Sequence, residues 1–370
     1  MTTLLTEEYK NVLSMTIEET YPKYLKKQLL KQLSIKHYVS FNPSLFSESL
    51  DLSNVHEDDQ LVYSIKNSIK AIEVLEQDEL ERPYNYSVLF KYETLIDGII
   101  ENLITNHSLM NIKSADFKHD ILSEQLANSI PTYIEYNDEI AIIKFNLKIL
   151  GHLAIPGENS RTVKYPILLL LHKNINVLEI RLATIKSPFK DKDEYFYANR
   201  ISEVLSWIES NLLLTYEDID LVSLIEKLKK NPENNEVRIS AQAMNMQGGK
   251  TAVLNTGANE DYILPLLGEL NELMSANEQL FLSSPEIKTL LENFIKKTEE
   301  TSDLPWITLS WLERNQKDIT KIKFRFNYSN QNYSLLQYYE SNSKMEKMNY
   351  VANYLIESQR DAEQNQAPSE

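Results

Sequence analysis

The 370-residue chain contains no cysteine. That excludes disulfides, thiolate metal sites and a cysteine nucleophile, and it fits a reducing cytoplasm. Glycine is also scarce: there are seven, against roughly 7% of residues in an average protein, and six of them lie between Gly151 and Gly268. Phosphate-cradling loops and doubly wound nucleotide folds depend on glycine-rich turns, so both are disfavoured. No apolar run approaches the ~18 residues of a membrane span. The first stretch, MTTLLTEEYKNVLSMTIEETYPKY, has an acidic start and no long apolar core, unlike a secretory signal. Positive charge is in deficit, with a formal net charge of −16. That argues against generic nucleic-acid binding, which needs excess Lys and Arg.

Other catalytic signatures are missing too. His37, His56, His107, His119, His152 and His172 show no metal-type spacing, and there is no G-x-S-x-G nucleophile elbow. Gly248-Gly249-Lys250-Thr251 looks like the end of a phosphate-binding loop. The position five before Gly249 is Met244, however, where that loop needs glycine. A Gly-Gly hairpin turn explains it better.

What is present centres on Val163 to Ile185, VKYPILLLLHKNINVLEIRLATI. Ile167 to Leu171 is an aliphatic run that suits a strand covered on both faces. Asn174 and Asn176 suit a turn. Leu178, Ile180 and Leu182 then alternate with Glu179 and Arg181, the period of a half-buried strand. Pro166 is expected near a strand end. Such a hairpin needs further strands or helices to cover it.

Residues 1–110 read as a mostly helical N-terminal domain. Thr6 is placed to cap a first helix, with Glu7 and Glu8 in its first turn. Leu25, Leu29 and Leu33 give a second helix one apolar face. Residues 39–58 read as a loop carrying the acidic cluster Glu57-Asp58-Asp59. Gln60–Gln77 reads as one amphipathic helix. Two α+β units follow, 111–214 and 215–360, each a helix, an antiparallel sheet and a helix. The segments IPTYIEYNDEIAIIKFN and LPWITLSWLERNQKDITKIKFRFN echo one another, as do Tyr197-Ala198-Asn199 and Val351-Ala352-Asn353, which points to a repeat. Its first copy would open with a helix over Ala115–Ser129, and a helix is expected over Tyr262–Leu282. Residues 361–370 read as a disordered tail. The fold class is therefore α+β.

Two sets of residues are candidate sites. Glu179, one spacer and Arg181 resemble the acidic-x-Lys pair on a central strand of restriction-endonuclease-type nucleases, with Arg181 where that family has Lys. Asp138 or Glu139 would supply the earlier carboxylate for a divalent metal. The plainer reading is an ion pair on a solvated sheet face. Lys23, Lys26, Lys27 and Lys31 form the most basic stretch, suited to an acidic partner, a membrane surface or nucleic acid; the plainer reading is a solvated helix face. The aromatic residues of 306–339 either stack on bases or serve as strand formers shared between core and surface.

Taken together, these features favour a non-enzymatic binding or assembly subunit of a cytoplasmic bacterial complex. It would act with a protein partner or a second copy of itself and use no cofactor, no metal and no membrane. A nucleic-acid or nucleotide sensor in a bacterial defence or mobile-element system is the first alternative, and a metal-dependent nuclease the second.

Overall fold

The structure is a computed structural model of the chain. It describes residues 6–42, 49–114, 117–152, 160–190, 193–230, 237–246, 249–255, 270, 273–300, 303–312, 319–339 and 345–364. The fold is α+β. The chain divides into two compact units, Met1–Glu217 with Lys344–Asn349, and Asp218–Ser343 with Tyr350–Glu370. The pattern of elements expected from the sequence suggests breaks near 110 and 214.

The first unit opens with α1 (Glu7–Thr20) and α2 (Lys23–Ile35). The Thr6 side chain accepts a hydrogen bond from the Tyr9 amide at 3.3 Å, and Glu7 and Glu8 sit in the first turn, where the helix dipole favours them. Tyr9, Val12, Leu13, Thr16 and Ile17 form its buried stripe. Leu25, Leu29, Leu30 and Leu33 do the same for α2. The stretch expected to be a loop contains β1 (Val39–Ser40) paired in parallel with β2 (Leu50–Asp51). The single helix expected over 60–77 is two, α3 (Gln60–Asn67) and α4 (Ile69–Glu81). Ser68 is extended between them, at φ −138° and ψ 121°. Asn and Ser are poor interior helix formers, and the break falls where they are adjacent.

Next come β3 (Tyr86–Tyr92), α5 (Ile99–Thr105), β4 (Met110–Asn111), β5 (Thr132–Glu135), β6 (Ile140–Gly151), β7 (Arg161–His172) and β8 (Val177–Leu182). α6 (Phe196–Trp207) and the short β9 (Tyr216–Asp218) close this part. In place of the helix expected over 115–129 there is only a 3-10 turn, Leu126–Asn128, and an isolated bridge from Ser123 to Leu147; residues 115 and 116 lie outside the described set. Lys118, Asp120, Ser123, Asn128 and Ser129 break the apolar repeat that would have anchored a helix. The strand order is β3-β8-β7-β6-β5-β4, antiparallel except for the β4–β5 pair.

The two faces of this sheet differ. One carries Phe145, Leu147, Tyr165, Ile167, Leu169, Leu178 and Ile180, all buried. Helix α6 covers it, placing Trp207 on Phe145, Phe196 on Tyr165 and Tyr197 on Tyr86. The other carries Lys144, Lys164, Leu168, Leu170, His172, Glu179 and Arg181, equally buried. α1 packs on β7 from this side. Pro166 lies within β7 rather than at its end, but the β7–β8 pairing stops at Ile167–Leu182. Pro166, which has no amide hydrogen to donate, therefore sits where β7 has one neighbour.

The second unit holds α7 (Leu221–Lys230), β10 (Val237–Met246), β11 (Lys250–Asn255), β12 (Asp303–Leu312), β13 (Ile319–Arg325) and β14 (Leu335–Tyr338). They form an antiparallel run in the order β11-β10-β12-β13-β14. The β10–β11 hairpin pairs Met246 with Lys250, and Gly249 has φ +74° as the turn requires. Gln247 and Gly248 lie outside the described set, as do residues 262–269, 271 and 272 of the helix expected over 262–282; residues 270 and 273–276 are helical, and the stretch ends in helix Glu278–Leu282. Helix Pro285–Glu300 precedes β12, and helix Met345–Gln364 follows β14. That last helix continues through Asp361–Gln364, into the stretch expected to be a disordered tail. Extending a formed helix needs no new nucleus. Residues 365–370 lie outside the described set.

Candidate functional site

The residues that would carry chemistry sit inside the first unit, on the covered polar face of its sheet. In β8, Glu179 and Arg181 are each 0% exposed, so the solvated ion pair expected from alternation is instead a buried one. Arg181 Nη2 donates to Glu179 Oε2 at 2.6 Å and to Asn349 Oδ1 at 2.6 Å. His172 Nε2 lies 2.9 Å from the same carboxylate oxygen. Burial opposes ionisation of Glu179, but the neighbouring guanidinium and the His172 hydrogen bond prevail and hold its carboxyl down at about 2. Ser87 faces Arg181 across the β3–β8 ladder. Ser87 Oγ, Glu179 Oε1 and Arg181 Nε and Nη1 are buried without a hydrogen-bond partner among the described residues.

Asp138 and Glu139 belong elsewhere. Both are exposed at the β5–β6 turn, where the Glu139 carbonyl accepts from the Lys173 amide. They do not converge with the interior carboxylate of Glu179. Among the described residues no group of three or more His, Cys, Asp or Glu is arranged to hold a metal.

The larger polar cluster is not legible in the sequence as a site. Lys144 of β6 and Lys164 of β7 are each 1% exposed and converge on two carboxylates of α4, Glu76 and Glu79. Glu76 binds both ammonium groups through separate oxygens. Glu79 Oε2 takes Lys164 at 2.7 Å and Lys144 at 3.1 Å. The Tyr9 hydroxyl donates to Glu76 Oε1 at 2.5 Å, and the Tyr84 hydroxyl donates to the Glu79 carbonyl at 2.7 Å. Thr16 accepts the Lys164 amide at 2.7 Å. Burial would raise the Glu76 carboxyl, yet Lys144 and Lys164 hold it far below the usual carboxylate range. Burial would likewise lower the Lys144 ammonium, and Glu76 and Glu79 raise it instead. The one signal for this quartet is the spacing Ile72, Glu76, Glu79. Two carboxylates at i+4 and i+7 from a core isoleucine continue the apolar stripe of the helix.

The basic stretch lies on the surface of α2. Lys23 pairs with Asp58 at 3.2 Å and Lys27 with Glu57 at 2.9 Å, both partners coming from the acidic cluster. Lys31 is exposed and Lys26 partly so. Neither makes an ion pair among the described residues. In the second unit Trp311, Phe324, Phe326, Tyr333 and Tyr338 are buried. Trp306 is half-buried beneath the Lys323 ammonium, 3.6 Å from its ring centroid.

No protein-family model matches the chain, and no curated protein matches it. Among the described residues no helix is long and apolar enough to cross a membrane.

Proposed function

We propose that this chain is a non-enzymatic binding or assembly subunit that docks a protein partner or a second copy of itself. The observation that carries this reading is an apolar surface in the second unit. Leu280, Leu282, Ile287, Leu290 and Phe294 of helices Glu278–Leu282 and Pro285–Glu300 are between 53 and 69% exposed. Ile287, Leu290 and Phe294 recur at i, i+3 and i+7, one stripe of the longer helix. Leu291 and Ile295 of that helix pack inward with Met274 and Met244, so the outward stripe is additional to its core. Clustered exposed apolar side chains on a folded domain mark an interaction surface. The interior placement of Glu179 supports the same reading, since a buried carboxylate already held by Arg181 and His172 has no free oxygen pair to offer a metal and a substrate. Lys23 and Lys27, already bound to acidic neighbours, lend the nucleic-acid reading less support.

Size-exclusion chromatography with light scattering tests the proposal. The expected result is a discrete oligomer, or recovery with a stable protein partner. The double substitution Leu290→Lys/Phe294→Lys should abolish it and leave the unfolding free energy within the range of surface changes, about 0.5 kcal/mol. A clean monomer with no partner would sink the proposal. A monomer carrying nucleic acid would shift it to the sensor reading.

A further inference from the structure

The first unit also has a notch of about 330 Å³ where β7 and β8 part company. Pairing ends at Leu182, and Ala183, Thr184 and Ile185 lead the chain away from Pro166. The turn from α1 into α2, at Tyr21 and Pro22, and the segment Arg82–Asn85 complete the wall. The opening therefore follows from the fold: a proline inside β7, and a neighbour that leaves it at that point.

Its chemistry is one-sided. Arg82, Lys164 and Lys186 line it, and no carboxylate does. The chain as a whole is strongly acidic, at −16. Lys164 is committed to Glu76 and Glu79, and Lys186 lies 3.5 Å from Glu19. Arg82 differs from both. It is 9% exposed, yet no carboxylate lies within 4 Å of it among the described residues; Asp78 and Glu79 act on it only from beyond that distance. Its guanidinium instead lies 5.1 and 5.5 Å from the ring centroids of Tyr21 and Tyr84 and shares a side-chain hydrogen bond with Tyr84. Tyr21, Tyr84, Glu79 and Asp78 together outweigh burial and keep the guanidinium charged, so Arg82 presents a positive charge at the wall of an open cavity with no carboxylate in direct contact among the described residues. The planar guanidinium is suited to bidentate grip of a carboxylate or phosphate. Tyr21, Tyr24, Tyr165, Pro22, Pro83 and Pro166 supply flat apolar walls, the usual lining of a small-molecule site.

A second cavity, of about 630 Å³, makes the comparison. It has Lys148, Lys190 and Arg200, but Glu124 and Asp193 stand among them. Lys148 is paired with Glu8 and Arg200 with Glu203, both at 2.9 Å. Two of its cations are thus in direct contact with a carboxylate; among the described residues, Arg82 is not.

We propose that the notch binds a small organic oxyanion with a flat apolar body, its charged head on Arg82 and its body against the tyrosine and proline walls. This goes beyond the assembly reading and does not depend on it, because the notch and the exposed helix stripe lie in different units.

The test is calorimetric titration of the full chain with benzoate and with phenyl phosphate, using benzyl alcohol as the neutral control. Saturable binding of either anion, without binding of the alcohol, is the expected result; whichever is tighter tells a carboxylate site from a phosphate site. Arg82→Lys keeps the charge and loses the planar fork, and it should weaken binding about tenfold, the worth of one charge-assisted hydrogen bond. Should Arg82→Lys fail to fold, Lys186→Glu at the mouth is the second variant, with a similar loss expected from the reversed charge. No saturable binding of either anion, equal binding of benzyl alcohol, or affinity unchanged in the folded variant would overturn the proposal.

Discussion

Replacing Lys144 by methionine isolates what the buried quartet contributes. Methionine has similar length and no charge, so packing changes little. The change leaves Glu76 and Glu79 facing Lys164 alone, one negative charge in excess, in a place where all four side chains are at most 3% exposed. Removing one partner of a buried pair typically costs about 3–5 kcal/mol, because the orphaned charge keeps its desolvation penalty. Adding Glu76→Gln restores the balance, and the amide oxygen it introduces can still accept from Tyr9. The double variant should therefore lose much less than the sum of the two singles, with a coupling of about 2 kcal/mol or more.

Urea unfolding followed through Trp207 fluorescence reads this out, since Trp207 packs on Phe145 inside the first unit. Trp306→Phe and Trp311→Phe remove the signal of the second unit. The pH dependence gives an independent check. The Glu76 carboxyl is depressed on folding, so its contribution is present above the unfolded value of 4.5 and is lost as pH falls towards the folded one. The Lys144 ammonium is raised, so its contribution is present below 10.5 and is lost as pH climbs past the folded value. The quartet should act fully between those limits. Losses that add within about 0.5 kcal/mol would refute the coupling argument.

The remaining predictions concern stability in the same unit. Burial pushes the Asp78 carboxyl up from 3.8 to about 6, with Arg82 opposing, and its Oδ2 is buried without a hydrogen-bond partner. Ionising it costs stability as pH rises from about 4 to 6. Asp78→Asn should therefore gain up to about 3 kcal/mol at pH 8 and nearly nothing at pH 4 by urea unfolding; an equal gain at both would refute the assignment. Gly151→Ala would drive a methyl into the Phe189 ring, which is 1% exposed. That overpacking should cost about 1–3 kcal/mol by thermal unfolding, largely recovered by adding Phe189→Leu; a neutral Gly151→Ala would refute it.

The hairpin from Val163 to Ile185 is legible because both of its strands carry a clear pattern, and β7 and β8 appear there. The Thr6 cap and the apolar stripes of α1 and α2 are legible for the same local reason. The environment of Glu179 and Arg181 is not. Alternation places them on the face opposite Leu178 and Ile180, but it does not say that helices will cover that face. Lys144 and Lys148 show the same limit. They share a phase on β6, yet Lys144 is buried on α4 and Lys148 meets Glu8 at the surface. What separates them is the reach of α4, a contact between residues more than 60 positions apart. The helix expected over 115–129 fails differently: a repeat shared with the second unit suggests it, and the local residues do not support it.

The quartet also bears on how this sheet selects its helices. The face under α6 is apolar throughout, and an apolar face accepts many helix placements at similar cost. The face under α4 does not. Glu76 and Glu79 each touch both lysines, so a shift of α4 by two residues, which turns the helix through more than half a revolution, would swing both carboxylates away from both ammonium groups and leave the buried lysines unpaired. Hydrophobic replacement of such a cluster is often neutral or even stabilising. The quartet is therefore better explained as fixing register than as adding net stability. The two accounts part on one measurement. Replacing all four residues with apolar ones of similar volume should leave the unfolding free energy close to wild type. If register is what the charges secure, the same variant should lose the dispersed Tyr9 and Tyr84 ring resonances of a singly packed helix face. Sharp, native-like resonances in that variant would count against a register role.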